Sequence, residues 1–252
     1  MTDDTQLTLA TCEILSKENF EPENLINKFI KYYRSNKLNG VGASTLKAIL
    51  DKEAGIHWSQ AGRTGEFAAG NGGAMRIAPF AFFSNITRKN IFDACRITHR
   101  NDEAFAGALA VYLSIKAILN LEWNGFNNLF DIIIPELPDT NLRDRLIKIN
   151  NYNSISTISE IAKFGNNGYV VNSVPFAIYC STKIFDLGLE KMFQEIINSG
   201  GDTDTNASIA GQIAGTLIGL EKIPQELIIK LKNLEDYKWI KQIIDETKLR
   251  ID

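Results

Sequence analysis

Two clusters of threonine and aspartate are the residues best suited to chemistry in this sequence. One occupies positions 2–5 (Thr-Asp-Asp-Thr) and the other positions 202–205 (Asp-Thr-Asp-Thr). Each stands where a helix is predicted to begin, so an Asp or Thr could simply cap that helix. Neighbouring carboxylates also repel each other, and a bound cation would relieve that repulsion. Taken alone, the cluster at 2–5 is better explained as a helix cap. For the cluster at 202–205, a helix cap and a metal site are equally good explanations.

An EF-hand calcium loop is the obvious alternative for the second cluster. Asp202, Asp204 and Asn206 match the first, third and fifth positions of such a loop. The sixth position would be Ala207 in place of glycine, and the twelfth would be Ile213 in place of glutamate. The sharp turn and the bidentate ligand are therefore both missing, and the sequence excludes an EF-hand.

The supply of metal-binding side chains restricts the choice of ion. The whole chain contains three cysteines and two histidines, which excludes a disulfide framework and a closed Cys/His zinc site. Any metal would be held mostly by oxygen, which favours Mg²⁺, Ca²⁺ or Mn²⁺. If the two clusters meet in the fold, their oxygens suffice for one or two magnesium ions.

A glycine-rich loop occupies positions 70–76 (Gly-Asn-Gly-Gly-Ala-Met-Arg). It lacks the Gly-Lys-Ser/Thr ending of a Walker loop and the strand context of a dinucleotide fingerprint. Its backbone amides could still cradle a diphosphate, although a plain turn is the commoner explanation. His99 ends a helical stretch, where a structural contact is commoner than a ligand role. Tyr169 lies in a segment that suits stacking on a base and suits a buried loop equally.

Helical periodicity predicts the elements that must position these motifs. Leu7, Ala10 and Ile14 follow one another at three- and four-residue spacing, and apolar residues over 105–119 do the same. Strand-like alternation is almost absent, so the fold is predicted to be all-α. No linker or repeat divides the chain, which predicts one domain over residues 1–252.

Three glycines mark one face of the helix predicted over 205–220. Gly211, Gly215 and Gly219 recur at four-residue spacing, and each costs about 1 kcal/mol relative to alanine in helix propensity. We expect the bare backbone on this face to let another helix approach closely. This helix would then be central and would hold the 202–205 cluster rigidly.

Composition excludes several classes of protein. The net charge of −3 comes with no basic stripe, so nucleic acid is not expected as a partner. No apolar run approaches the roughly 20 residues needed to span a bilayer, and the acidic start is unlike a signal peptide. We expect a cytoplasmic protein that has no membrane partner and acts as a monomer.

Taken in order, these segments resemble the ADP-ribosylglycohydrolase family, which includes dinitrogenase-reductase activating glycohydrolases and ADP-ribosyl-acceptor hydrolases. The resemblance rests on positions 2–5, 70–76, 98–99, 168–171 and 201–205. It implies an all-α orthogonal multi-helix bundle. Family members usually carry several tens of residues before the Thr-Asp-Asp motif, including a Gly-Asp-Ala-Leu-Gly helix. This sequence is therefore expected to lack the usual N-terminal segment.

The resemblance also implies a site made of three parts. The first is a binuclear magnesium centre, with Mn²⁺ as the alternative ion, held by Thr2, Asp3, Asp4, Asp202, Asp204 and Thr205. The second is a binding surface for ADP-ribose formed by Gly70, Asn71, Gly72, Gly73, Met75, His99 and Tyr169. The third is a carboxylate that activates the attacking water, for which Asp4 and Asp202 are the candidates.

The function that follows is that of a magnesium-dependent ADP-ribosylhydrolase. It would cleave the bond between the ribose anomeric carbon and a modified protein side chain, expected to be arginine. Its partners would be an ADP-ribosylated protein and ADP-ribose. The alternative is a catalytically impaired protein of the same fold that binds ADP-ribose or a toxin, as an immunity protein does. A purely structural relative would instead show no metal dependence of its stability.

Overall fold

Helices form nearly all of the regular structure in this chain. The computed structural model describes residues 1–17, 19–152 and 156–251. Within these residues the helices are α1 Asp3–Leu15, α2 Pro22–Arg34, α3 Ala43–Glu53, α4 Arg88–Arg96, α5 Asp102–Leu119, α6 Leu129–Ile133, α7 Asn141–Asn150, α8 Ile158–Ala162, α9 Val170–Thr182, α10 Ile184–Leu187, α11 Leu189–Asn198, α12 Thr203–Ile218, α13 Gln225–Lys232 and α14 Tyr237–Lys248. The all-α prediction is confirmed.

Among the described residues, one small parallel pair of strands interrupts the helices. Strand β1 is Arg63–Thr64 and strand β2 is His99–Arg100, with Arg63 opposite His99 in the register. The glycine-rich loop adds an isolated antiparallel bridge between Gly70 and Tyr169. The strand pair holds the segment before the loop against His99, and the bridge holds the loop against the residue that precedes α9.

Helices α5, α9 and α12 form the centre of the bundle. The most extensive packing is between α9 and α12, followed by that between α5 and α9. A Cβ atom at Gly107 of α5 would lie 2.3 Å from Cγ2 of Val170, so only glycine permits this approach of α5 to α9. Trp123, Phe29 and Phe176 are among the largest fully buried side chains.

Gly211, Gly215 and Gly219 do not form the continuous face of close helix approach that the sequence predicts. A Cβ at Gly211 would lie 3.1 Å from the ring of Phe193 in α11, whereas none of the described atoms lies within 4 Å of one at Gly215. Gly219 ends the helix with a φ of +73°. Close approach is therefore confined to Gly211. Helix α12 begins at Thr203, two residues before the predicted start, so the second acidic cluster occupies its first turn.

No helix among the described residues combines the length and apolar character required to cross a membrane. The prediction that residues 1–252 form one domain stays a prediction.

Candidate functional site

A cavity of about 380 Å³ brings both acidic clusters and the glycine-rich loop together. The residues predicted for the site that line it are Asp3, Gly70, Asn71, Gly72, Met75, His99, Asp202, Asp204 and Thr205. These residues come from positions up to about two hundred apart in the chain, and the fold gathers them at the N-terminal ends of α1 and α12.

The backbone carbonyl of Met75 links those two helices beside the glycine-rich loop. It accepts a hydrogen bond of 3.3 Å from the Thr8 hydroxyl of α1 and one of 2.8 Å from Nε2 of Gln212 in α12. Helices α1 and α12 are thereby both held against the same loop residue. Sequence reasoning did not identify Thr8 or Gln212, because nothing in their spacing marks them.

The first cluster does not serve as a conventional helix cap. Thr2 precedes α1, yet its side chain makes no capping hydrogen bond. Its hydroxyl instead donates to Oδ2 of Asp4 across 2.9 Å. Asp4 is only 1% exposed, and its other oxygen, Oδ1, is buried without a hydrogen-bond partner. A buried carboxylate oxygen left unpaired is costly, so a cap alone does not explain this cluster.

The second cluster behaves in the same way. Asp202 occupies the position before α12, but its side chain makes no capping hydrogen bond. Its Oδ2 instead accepts a hydrogen bond of 2.7 Å from Nδ2 of Asn71 in the glycine-rich loop. Asp204 is exposed to the cavity and Thr205 is buried in its wall. The cap, one of two alternatives left open by the sequence, is therefore not formed by Asp202.

The carboxylates of both clusters carry uncompensated negative charge. Burial, together with the neighbouring charge of Asp4, raises the pKa of Asp3 to about 6. Burial also raises the pKa of Asp4, with a further contribution from Asp204, while the hydroxyls of Thr2 and Thr205 oppose the shift. The pKa of Asp202 is raised by burial and by Asp204. A cation among these groups would relieve the repulsion that destabilises the ionised forms.

The donors present suit a hard divalent cation. Carboxylate and hydroxyl oxygens are the ligands that magnesium and calcium prefer, and the unpaired Oδ1 of Asp4 is one such oxygen. Within the part of the chain that the structure describes, no group of three or more Asp, Glu, His or Cys side chains is arranged as a complete metal site. A cation here would also need hydroxyl, water or substrate oxygens, which is the usual coordination of magnesium.

His99 lies directly beneath the glycine-rich loop. A Cβ at Gly72 would lie 2.7 Å from Cε1 of His99, and one at Gly70 would lie 3.2 Å from Nε2. A side chain at position 72 would therefore displace the imidazole, and one at position 70 would crowd it. Nδ1 of His99 is hydrogen-bonded to the Thr98 hydroxyl at 2.7 Å. Burial and the charges of Arg76 and Arg63 lower the pKa of His99 to about 3, so the ring is neutral at physiological pH.

Arg76 positions both the loop and His99. Its side chain is buried. Nη1 donates to the carbonyl of Gly72 across 2.8 Å, and Nη2 donates to the Thr98 hydroxyl across 2.8 Å and to the Ala94 carbonyl across 3.1 Å. Sequence reasoning recorded Arg76 only as the end of the glycine-rich run. A buried arginine that bonds backbone oxygens leaves no pattern in the sequence by which to recognise it.

Four predicted residues do not line the cavity. Thr2 precedes α1, and Asp4 is buried in the first turn of that helix. A Cβ at Gly73 would lie 2.7 Å from the Cys95 sulfur, so this glycine is required by packing. Tyr169 is 40% exposed and pairs through its backbone with Gly70, which places it next to the loop.

Comparisons with known proteins give a consistent result. The sequence profile of the family described as ADP-ribosylglycohydrolase matches residues 1–251. The chain is 29% identical to an uncharacterized protein of Archaeoglobus fulgidus, over 99% of this chain and 81% of that protein. It is 26% identical to ADP-ribosylhydrolase ARH3 of Danio rerio, over 93% of this chain and 74% of that protein.

Two further matches extend the comparison. ADP-ribosylarginine hydrolase Tri1 of Pseudomonas putida is 27% identical, over 91% of this chain and 62% of that protein. A solved structure described as an ADP-ribosylglycohydrolase-related protein complex superimposes with a TM-score of 0.66. That structure is 21% identical and is matched over 100% of this chain and 82% of its own, so it establishes the likeness of fold.

Proposed function

The chain belongs to the ADP-ribosylglycohydrolase family and is a hydrolase, and on that premise we propose that it is a magnesium-dependent ADP-ribosylhydrolase that releases ADP-ribose from modified arginine. The observation that carries the proposal is the convergence of two helix N-termini, each with carboxylates that do not cap it, on one cavity. Asp4, buried in the same first turn as Asp3, keeps an oxygen without a hydrogen-bond partner.

The reaction is a hydrolysis at the anomeric carbon of the ribose. The bond from that carbon to the side-chain nitrogen breaks, and a bond from the same carbon to a water oxygen forms. One proton of the water passes to the departing nitrogen, so the products are ADP-ribose and the restored side chain. The transition state resembles an oxocarbenium ion, which nearby carboxylates stabilise.

The residues of the two clusters would bind the metal and activate the attacking water. Thr2, Asp3, Asp4, Asp202, Asp204 and Thr205 would hold one or two magnesium ions. When bound, magnesium orients ribose hydroxyls and increases the acidity of water. Asp4 and Asp202 are the candidates to accept the proton of the attacking water, and burial raises the pKa of each. Of the two, Asp202 lines the cavity.

The loop side of the cavity would bind the rest of the substrate. Backbone amides of the loop, from Gly70 to Gly73, would lie along the diphosphate. His99 is neutral, so it would contact the ligand as an uncharged hydrogen-bonding group. Tyr169, partly exposed beside Gly70, is available to contact the nucleoside.

Arginine is the favoured side chain for two reasons. Three carboxylates, Asp3, Asp202 and Asp204, line the cavity, and a guanidinium leaving group is attracted to such charge. In addition, one relative is named an ADP-ribosylarginine hydrolase. A cytoplasmic location is also part of the proposal, because all three cysteines of the described residues are free thiols, as expected in a reducing compartment.

The test is release of free ADP-ribose from an arginine-ADP-ribosylated protein. Wild type is assayed with magnesium and with a chelator, beside the double variant Asp202→Ala and Asp204→Ala. The matched control changes the exposed pair Asp139 and Asp144 to alanine. Release that needs magnesium and is lost only in the first variant supports the proposal. Binding of ADP-ribose without any release would overturn it in favour of a binding protein of the same fold.

A further inference from the structure

Arg63 is the single Lys or Arg among the described residues that line the cavity. Strand pairing explains its position. Arg63 of β1 stands opposite His99 of β2, and residues directly opposite in paired strands present their side chains to the same face. Both residues line the cavity, so Arg63 lies on the side formed by His99 and the glycine-rich loop.

The guanidinium of Arg63 has no partner within the described residues. It makes neither a side-chain hydrogen bond nor an ion pair there, although Asp3, Asp202 and Asp204 line the same cavity. Arg76, the buried arginine nearby, makes three hydrogen bonds. Arg63 is partly buried, and a partly desolvated cation without an anion is unfavourable. Its charge contributes to lowering the pKa of His99.

The charge of the cavity shows what Arg63 would bind. Three carboxylates repel an anionic ligand, and the buried imidazole of His99 is neutral at physiological pH. A ligand with two phosphate groups would be attracted by a cationic side chain, and Arg63 is the one that the described lining of the cavity offers. Arginine suits this task because its planar guanidinium can bond two phosphate oxygens at once.

We propose that Arg63 binds the diphosphate of the ADP-ribosyl group and makes the site selective for nucleoside diphosphates over nucleosides. The identity of the ligand rests on the proposed function. The binding role concerns a part of the ligand remote from the bond that is cleaved, so it can be tested without any turnover.

The test measures binding of ADP and of adenosine by calorimetry, in one magnesium-containing buffer. ADP carries the diphosphate but lacks the distal ribose and the scissile bond. The proteins are wild type, Arg63→Gln, Arg63→Lys and the control Arg100→Gln. Arg100 is the next residue along the same strand pair and does not line the cavity. Thermal unfolding checks that each variant is folded.

We expect Arg63→Gln to weaken ADP binding tenfold or more, since it removes a charge-assisted contact. Adenosine affinity should change less than twofold, Arg63→Lys should retain part of the ADP affinity, and Arg100→Gln should match wild type. If Arg63→Gln does not fold, the binding of ADP and of adenosine to wild type is measured at increasing sodium chloride concentration instead. Added salt should weaken the binding of ADP much more than the binding of adenosine.

The inference is overturned by an ADP affinity of Arg63→Gln within twofold of wild type, by an equal loss for adenosine, or by absence of ADP binding to wild type. It is separable from the proposed function. If the protein releases ADP-ribose but Arg63 has no role in ADP binding, the inference about Arg63 is wrong and the proposed function still holds. If Arg63 binds ADP but the protein releases no ADP-ribose, the proposed function is wrong and Arg63 is still an anion-binding residue.

Discussion

The side-chain amide of Asn71 donates a hydrogen bond of 2.7 Å to Oδ2 of Asp202, although the two residues are 131 positions apart. The same amide donates to the Ser173 hydroxyl of α9 across 3.0 Å. That hydroxyl donates to Oδ1 of Asn206 across 2.7 Å. The glycine-rich loop, α9 and the first turn of α12 are thus connected by one polar network that fixes the orientation of the Asp202 carboxylate.

Replacing Asn71 with aspartate should break this network. Asn71→Asp removes both N–H donors and places a second carboxylate against Asp202, so we expect the free energy of unfolding to fall by about 1–3 kcal/mol. Hydrolysis should fall with it, because Asp202 loses its fixed orientation. Urea unfolding at pH 7 measures the effect, with the exposed Asn85→Asp as the control. Equal stability of both variants would show that the amide contributes nothing.

Two glycine-to-alanine variants should change stability in opposite directions. At Gly72 the added Cβ would lie 2.7 Å from Cε1 of the buried His99 ring, so we expect a loss of about 1–3 kcal/mol from overpacking. At Gly215, inside α12, no described atom lies within 4 Å of an added Cβ. There alanine should raise stability by about 1 kcal/mol through helix propensity. Thermal unfolding of both variants tests this, and a stabilising Gly72→Ala would contradict the packing of the loop on His99.

The neutral state of His99 predicts a dependence of stability on pH. Burial lowers its pKa from 6.5 to about 3, so below pH 6.5 the unfolded chain binds a proton that the folded protein does not. Neutral His99 therefore makes its full contribution to the free energy of unfolding above pH 6.5. That contribution is lost as the pH falls towards 3, at up to about 1.4 kcal/mol per pH unit.

Urea unfolding between pH 7.5 and roughly pH 4.5 measures this contribution as a difference between variants. Stability of His99→Gln should fall less steeply with acid than that of wild type. His57→Gln, which removes the exposed histidine, is measured beside it as the matched substitution. Identical slopes for wild type and His99→Gln would contradict the lowered pKa of His99 in the folded protein.

Asp3→Asn should stabilise the metal-free protein. The pKa of Asp3 is raised to about 6, so the ionised carboxylate costs stability above that pH, and this cost ends as the pH falls from 6 towards 4. At pH 7 with a chelator, Asp3→Asn should therefore melt a few degrees higher than wild type. With magnesium, the difference in melting temperature between Asp3→Asn and wild type should shrink or change sign. Magnesium binds the folded state, and it should stabilise wild type more than the variant.

The control for this prediction is Asp144→Asn. Asp144 occupies the first turn of α7, as Asp3 occupies that of α1, but it is exposed and outside the cavity. It should show a small loss of stability from the helix dipole and no response to magnesium. A lower melting temperature of Asp3→Asn in chelator would mean that the charge repulsion is already compensated within the chain.

Much of the fold could be predicted from the sequence because helical periodicity is a local property. The pairing of β1 with β2 could not, since strands of two residues show no alternation. The three glycines at 211, 215 and 219 have one spacing but three roles: close packing, open surface and a helix end at positive φ. Spacing alone cannot separate these roles, because each depends on what the fold places opposite the glycine.

The site, like the fold, could be predicted only in part from the sequence. The threonine and aspartate clusters are visible in the sequence, but whether Asp202 caps α12 depends on the direction of its side chain, which Asn71 of a distant loop determines. Arg63 and Arg76 leave no signal, since a single arginine in a polar segment is ordinarily a solvated residue. Their roles follow from the register with His99 and from burial under the loop.

The most direct test of the central claim compares single and double variants of the two clusters. The rate of ADP-ribose release with saturating magnesium is measured for wild type, Asp4→Asn, Asp204→Asn and the double variant. If the clusters form one catalytic site, each single variant should lose nearly as much activity as the double, because residues that act as a unit are not additive. Independent losses that multiply in the double variant, or full activity in either single variant, would contradict a shared site.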